Sequence, residues 1–307
     1  MSRIAMIGAG HVGATAAYAL MLRALVSEIV LIDSDPGLAE AEAADLADAN
    51  ALARPARIWA GTYADAASAT IAVVTAGAAT HGSETRLTVA SRSASIVRAC
   101  VSQLAGAGFG GIILVAANPV DLMALVALRA SGLPASRVIG TGTLLDTARL
   151  RQALAAELHV APTAIEALVV GEHGDSEVAA FFAARVGGLG LAQFQAPAPD
   201  REHVARGVRE AGYRIIAGKG YTSFGIATAI VRICEAILRD ERAILPVSVA
   251  LTGEFGITDL YLSLPCLLGA GGIERILLPD LDAAEQAGLR ASAAILRENL
   301  AVLDAGS

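Results

Sequence analysis

Over the first 140 residues, short apolar runs that stop at glycine or another small residue alternate with longer stretches of helical apolar spacing. Arg3 to Ile7 (RIAMI) is the first run and ends at Gly8. Val12 to Leu25 (VGATAAYALMLRAL) then places apolar residues at helical intervals. Glu28 to Asp33 (EIVLID), Thr70 to Gly77 (TIAVVTAG) and Gly111 to Pro119 (GIILVAANP) are further buried-strand candidates, the last two followed by helical patterns. Strands alternating with helices predict an α/β chain built on a doubly wound, mostly parallel sheet. In such sheets ligands bind outside the carboxyl ends of the strands, which places Gly8, Asp33, Gly77 and Asn118 on one rim. From about Leu144 the pattern changes. A helix is followed by strand-like runs at AIEALVV and AAFFAARVGG and by long helical stretches from Arg201 to Arg239. Strands then come at AILPVSVAL, LYLSLPCLL and IERILL, and a closing helix starts from Asp282. The expected division is a ligand-binding domain over 1–140 and a second, α+β domain over 141–307.

Composition narrows the partners. The chain has 307 residues, 55% of them hydrophobic, and a formal net charge of -7, enough for a large core. No apolar run is long enough and free enough of charge to span a membrane. The stretch MSRIAMIGAG is too short before its first glycine to be a secretory signal. The acidic balance, without a long Lys/Arg run, argues against a nucleic-acid partner. Cys100, Cys234 and Cys266 are scattered without metal spacing and read as reduced core thiols of a cytoplasmic protein.

Gly8-Ala9-Gly10-His11-Val12-Gly13 fits G-x-G-x-x-G. The pattern is weak alone, but here it directly follows a strand, opens a helix, and precedes Asp33 at the end of the next strand. The glycines allow a tight turn and close approach of backbone to a pyrophosphate, and the helix N-terminus offers free N–H groups and a positive dipole end. Asp33 would accept hydrogen bonds from ribose hydroxyls. With Asp33 and Asp35 present and no arginine beside them, a 2′-phosphate is disfavoured, so NAD is expected over NADP. Elsewhere, Gly171 to Ser176 reads GEHGDS and sets His173 between two acids and two glycines. Such a histidine suits a proton donor, a metal ligand or a plain loop residue. No HExxH spacing supplies a second zinc ligand, so no metal is expected.

Six motifs occur in order: GAGHVG, THGSETRL, AANPVD, GTGTLLDTARLR, GEHGDSEV and KGYTSFGIA. Together they resemble the lactate/malate dehydrogenase family, on its L-lactate dehydrogenase side, over essentially the whole chain. The resemblance implies a Rossmann sheet followed by a substrate domain, and hydride transfer between NAD and C2 of a 2-oxo or 2-hydroxy acid. It implies His173 as general acid/base, with Asp146 on the other ring nitrogen to fix the tautomer and favour the charged ring. It implies Arg149 as a bidentate clamp on the substrate carboxylate. Arg86 would polarise the carbonyl from a loop that closes over the substrate. Asn118 would hydrogen-bond near the reacting carbon and the nicotinamide ribose. Thr222 would form the pocket floor, and Ile226 the apolar face against the nicotinamide. Gly8, Gly10, His11, Val12, Gly13, Asp33 and Gly77 complete the cofactor site.

The sequence departs from the family at three places. The substrate-discriminating position, six residues before Arg86, is Thr80, where lactate dehydrogenases usually carry glutamine and malate dehydrogenases arginine. Threonine brings no cation for a second carboxylate, which disfavours oxaloacetate and malate. Pyruvate is the expected substrate, and small residues at Thr80 and Ala211-Gly212 admit larger apolar 2-oxo acids as the alternative. Where some bacterial members bind fructose 1,6-bisphosphate through a basic pair, this chain has Arg151 but Glu166, so activation is not expected. The chain starts at its first strand without the N-terminal arm some members use, and a homotetramer is the expected assembly.

Overall fold

The computed structural model describes residues 2–53, 55–78, 86–194 and 197–305. Its first half runs β1 (Arg3–Ile7), α1 (His11–Leu22), β2 (Glu28–Ile32), α2 (Pro36–Asn50), β3 (Arg57–Ala60) and α3 (Tyr63–Ala66). It continues with β4 (Ile71–Val74), α4 (Arg86–Gly106), β5 (Ile112–Val115), α5 (Val120–Ser131) and β6 (Val138–Gly140). Every strand pair among β1 to β6 is parallel, and the spatial order is β3-β2-β1-β4-β5-β6. Helices cover both faces, so β4 and β5 are buried at every residue and read as unbroken apolar runs rather than alternating ones.

The second half contains α6 (Leu144–Leu158), the short strands β7 (Ile165–Glu166), β8 (Val169–Val170), β9 (Val178–Ala179), β10 (Arg185–Val186) and β11 (Leu189–Gly190), and α7 (Leu191–Phe194). Then come α8 (Arg201–Lys219), α9 (Phe224–Leu238), β12 (Ala243–Thr252), β13 (Thr258–Gly269), β14 (Gly272–Ile276) and α10 (Ala283–Ala305). Strands β12, β13 and β14 do not form a separate sheet. They extend the parallel sheet antiparallel beyond β6, through a single residue pair, Gly140 and Ser248. The parallel strands all lie in 1–140 and the antiparallel ones in 141–307, and one apolar core runs beneath both.

Four details differ from the sequence reading, each for a local reason. Helix α1 stops at Leu22 rather than Leu25, because Ala24 turns into the left-handed region at φ 50°. The helical stretch from Arg201 breaks at Gly220, which caps α8 at φ 86°. Strand β3 is an edge strand whose Trp59 lies under the Arg3 and Arg57 guanidiniums, 5.1 and 4.4 Å from the ring centre. It and the three-residue β6 are too short and too mixed to stand out as apolar runs. Among the described residues, no helix is long and apolar enough to cross a membrane.

The joint between the parallel and antiparallel parts is tightly packed. A Cβ on Gly140 would lie 2.8 Å from Ser248 Cβ and 3.1 Å from Val120 Cγ2. Gly140→Val should therefore cost about 1–3 kcal/mol through overpacking, read as a lower urea midpoint at unchanged m-value; an unshifted midpoint would mean the joint is looser than described.

Candidate active site

The turn between β1 and α1 is shaped for close approach. Gly8 has φ +107°, and a Cβ there would fall 2.7 Å from both the Ala76 nitrogen and Thr75 Oγ1. A Cβ on Gly13 would fall 1.9 Å from the Gly8 carbonyl oxygen. Gly10 is different. It precedes α1, no side chain caps the helix there, and nothing lies within 4 Å of where its Cβ would be. The first turn of α1, with His11 and Val12, thus leaves its N–H groups open to an anion. Asp33, just past β2, accepts from the Ala9 N–H (2.6 Å) and the Asp35 N–H (3.0 Å), which ties the acid to the turn. Gly77 follows β4 and packs against Ala117, and Thr75 Oγ1 donates to the Gly8 carbonyl at 2.9 Å. These features fit a dinucleotide: an uncapped helix N-terminus for pyrophosphate and a carboxylate beside it for ribose.

On the same rim, β5 ends before the exposed Asn118, which is joined to Pro119 by a cis peptide bond, and α5 begins at Val120. In the first turn of α5 lies Asp121, 2% exposed. Its carboxylate accepts from the His173 N–H (2.9 Å) and from Ser248 Oγ (2.5 Å). The loop carrying His173 is held from two further sides. Gly171 pairs with Ser263 of β13, and the Glu172 N–H donates to Ser292 Oγ of α10 at 2.8 Å. Ser176 Oγ donates to the Glu172 carboxylate.

Helix α6 brings the other groups. Thr143 Oγ1 donates to the Val169 carbonyl (2.5 Å), and the Val169 N–H donates to Thr147 Oγ1 (2.9 Å), stapling α6 to β8. That register sets Asp146, 2% exposed, against the imidazole: His173 Nδ1 lies 2.5 Å from Asp146 Oδ2. Arg149 Nη1 donates to Asp146 Oδ1 at 2.9 Å. One carboxylate therefore bridges a histidine and an arginine. Arg149 also lines a cavity of about 370 Å³ between α6 and α8, together with Val208 and Ala211.

Electrostatics separate the acids. Burial alone would push the His173 ring down, but the charge and hydrogen bond of Asp146, aided by Asp121 and Glu177, hold it up at about 9. Burial would raise Asp146, yet His173 and Arg149 keep it below the ordinary carboxylate range. Asp121 is raised by burial to about 6, against its two hydrogen bonds. Glu177 is raised by burial and by the Asp146 charge to about 8. Asp146, His173 and Glu177 each place a ligating atom within 4.8 Å of the others. A cation there would compete with the Arg149 guanidinium on Asp146 and with the proton on His173.

Thr222 lies partly buried in the turn between α8 and α9, and Ile226 on α9 packs partly buried against the core. His11 stacks on Tyr221 with ring centres 4.0 Å apart, a contact between the glycine turn and the Thr222 turn that the sequence did not suggest. Thr80 lies outside the described residues, as does the side chain of Arg86, whose backbone opens α4. Asp121 and Glu177 were missed by sequence reasoning; each stands inside a quoted motif, but only the fold shows that it is buried.

Comparison with known proteins shows the family. Residues 2–140 match the lactate/malate dehydrogenase NAD binding domain, and residues 143–305 match the family's alpha/beta C-terminal domain. The chain belongs to the lactate/malate dehydrogenase family. It is 44% identical over 301 residues to an L-lactate dehydrogenase of Thermus aquaticus, covering 96% of this chain and 97% of that one. It is 42% identical to one of Priestia megaterium, over 96% and 95% of the two chains. Among solved structures, a lactate dehydrogenase from a Medee basin deep-sea metagenome library superposes with a TM-score of 0.96 at 40% identity, over 99% of both chains. A minor L-lactate dehydrogenase from Enterococcus mundtii superposes with a TM-score of 0.95 at 37% identity, over 99% of this chain and 98% of that one.

Within this family member, the Gly8–Gly13 contact leaves no room for a methyl group. Gly13→Ala should weaken NADH binding by roughly tenfold or more, since the turn must open where backbone meets pyrophosphate. Titration of NADH fluorescence checks this, and unchanged affinity would place the cofactor elsewhere.

Proposed function

We propose that this chain is an NAD-dependent L-lactate dehydrogenase that interconverts pyruvate and L-lactate. The observation that carries the reading is the buried Asp146 carboxylate, with His173 on one oxygen and Arg149 on the other. It holds a charged imidazole and a guanidinium in fixed relation, beside a turn fit for a dinucleotide. A 2-oxo acid offers the matching pair, a carbonyl oxygen and a carboxylate.

NAD, when bound, supplies the hydride acceptor, and in its reduced form the donor. His173 uses the ring nitrogen turned away from Asp146, Nε2, to give its proton to the C2 oxygen in reduction and to take it back in oxidation. Asp146 stays ionised, fixes the tautomer and stabilises the imidazolium. Arg149 commits one Nη1 bond to Asp146. Its remaining donors serve the substrate carboxylate in a planar fork. Arg86 polarises the carbonyl, Asn118 orients the reacting end, and Thr222 and Ile226 close the pocket below substrate and nicotinamide. Gly8, Gly10, His11, Val12, Gly13, Asp33 and Gly77 seat the cofactor. Thr80 offers no cation to a second carboxylate, so pyruvate is favoured over oxaloacetate. In this reading the first half, 1–140, carries the cofactor turn together with Arg86, Asn118 and Thr80 for the substrate, and the second half, 141–307, carries Asp146, Arg149, His173 and Thr222 together with Ile226 for the nicotinamide.

The surface and the thiols support a homotetramer and a cytoplasmic location. The far end of α8 and the start of α9 expose Tyr213, Ile215, Ile216 and Phe224, apolar surface that suits burial against further copies in a homotetramer. Cys100, Cys234 and Cys266 are free thiols, which suits the cytoplasm. Arg151 donates to the Ala167 carbonyl and feels the Glu166 charge, which supports the absence of fructose 1,6-bisphosphate activation.

The test is NADH oxidation with pyruvate and with oxaloacetate, in the wild type and in His173→Ala. Pyruvate should be the better substrate, and the variant should lose about 10²–10⁴-fold in kcat. Preference for oxaloacetate would overturn the substrate assignment; an active variant would overturn the proton role.

A further inference from the structure

One group beside the proton relay has no side-chain partner among the described residues. Glu177 lies between the His173 loop and β9 and is 8% exposed. Its backbone N–H donates to Gly174, but its carboxyl makes no hydrogen bond and no ion pair to any described residue. Its oxygen lies within 4.8 Å of the ligating atoms of Asp146 and His173. The charged groups acting on it are Asp146 and Arg149 from α6, His173 from its own loop, and Arg209 from α8. Arg209 in turn sits 3.6 Å from Glu202.

A buried carboxylate with no donor is costly, so the carboxyl keeps its proton. The pocket's charge depends on that proton. With His173 and Arg149 positive and Asp146 negative, the relay of these three carries a net +1 while Glu177 is neutral, and the four sum to zero once it ionises; Asp121, behind the His173 backbone and raised to about 6, adds a constant negative charge above that pH. A 2-oxo acid is a monoanion. We propose that Glu177 is a charge-setting residue: it stays protonated in the working enzyme, keeps the relay positive towards the substrate carboxylate, and switches substrate capture off when it releases its proton to solvent. This rests on the dehydrogenase reading above. It also separates Glu177 from the residues that touch substrate, because it acts only through the field at His173 and Arg149.

The sign follows directly. Burial and the Asp146 charge lift Glu177 to about 8, so it is neutral below that pH and charged above it. His173 loses its proton near 9. Productive capture of pyruvate then needs two protons, and they leave in adjacent steps.

The experiment is the pH dependence of kcat/KM for pyruvate in the wild type and in Glu177→Gln, an isostere of the protonated acid. The logarithm of kcat/KM should fall towards a slope of −2 on the alkaline side for the wild type, and −1 for the variant. A wild-type slope of −1, or −2 in both, would overturn the proposal. Infrared difference spectra, wild type minus Glu177→Gln, read the proton without turnover. A protonated carboxyl band at about pH 7 that converts to carboxylate as pH rises through about 8 is expected. A carboxylate band already present at about pH 6 would refute it. If the wild type reduced no pyruvate at any pH, the dehydrogenase reading would fail, while the infrared result would still decide the state of Glu177.

Discussion

The arrangement depends on one buried carboxylate held between two cations. Asp146 is almost fully enclosed, and a lone ionised acid there would be strongly disfavoured. It stays charged because His173 and Arg149 each take one of its oxygens. The exchange works in both directions. The acid gains two partners, and the imidazole, which burial would otherwise neutralise, is kept as a proton donor. Removing one partner of such a set leaves a buried charge unmatched, typically at about 3–5 kcal/mol, so function and local stability are bound to the same contact.

Three enclosed acids around this loop show how partners, more than depth, set protonation. Asp146 faces two cations and lies below the ordinary range. Asp121 has two neutral donors, the His173 N–H and Ser248 Oγ, and rises to about 6. Glu177 has no donor among the described residues and rises to about 8. The same desolvation acts on all three; the number and charge of the groups facing each oxygen separates them. The fold supplies those groups from distant parts of the chain. Asp121 comes from the helix after β5, Asp146 from the helix after β6, Ser248 from an antiparallel strand, and Ser292 from the last helix. Joining β12 to β6 through Gly140 and Ser248 brings the two halves into register around the His173 loop.

Much of this was legible in the sequence, because the residues involved leave local marks. Strands β1, β2, β4 and β5 stand out as apolar runs stopped by small residues, since both faces of the sheet are covered. Gly8, Gly10, Gly13 and Asp33 are legible because a tight turn before a helix has few chemical solutions. His173, Asp146 and Arg149 are legible through the resemblance and through an i, i+3 spacing that puts acid and base on one helical face. The rest was hidden for physical reasons. Strand β6 has three residues and β3 has an edge strand's mixed exposure. The left-handed turn at Ala24 falls inside a helical pattern. Asp121 and Glu177 look like solvated acids in polar motifs, and only packing shows that they are largely enclosed.

The most direct test of the central claim is the titration of the His173 ring by NMR in the wild type and in Asp146→Asn. If Asp146 holds the proton on His173, the wild-type ring titrates near 9, and the variant ring, left to burial, titrates at or below the ordinary histidine value of about 6.5. A ring that still titrated near 9 without the Asp146 charge would contradict the account and assign the proton's stability to another group.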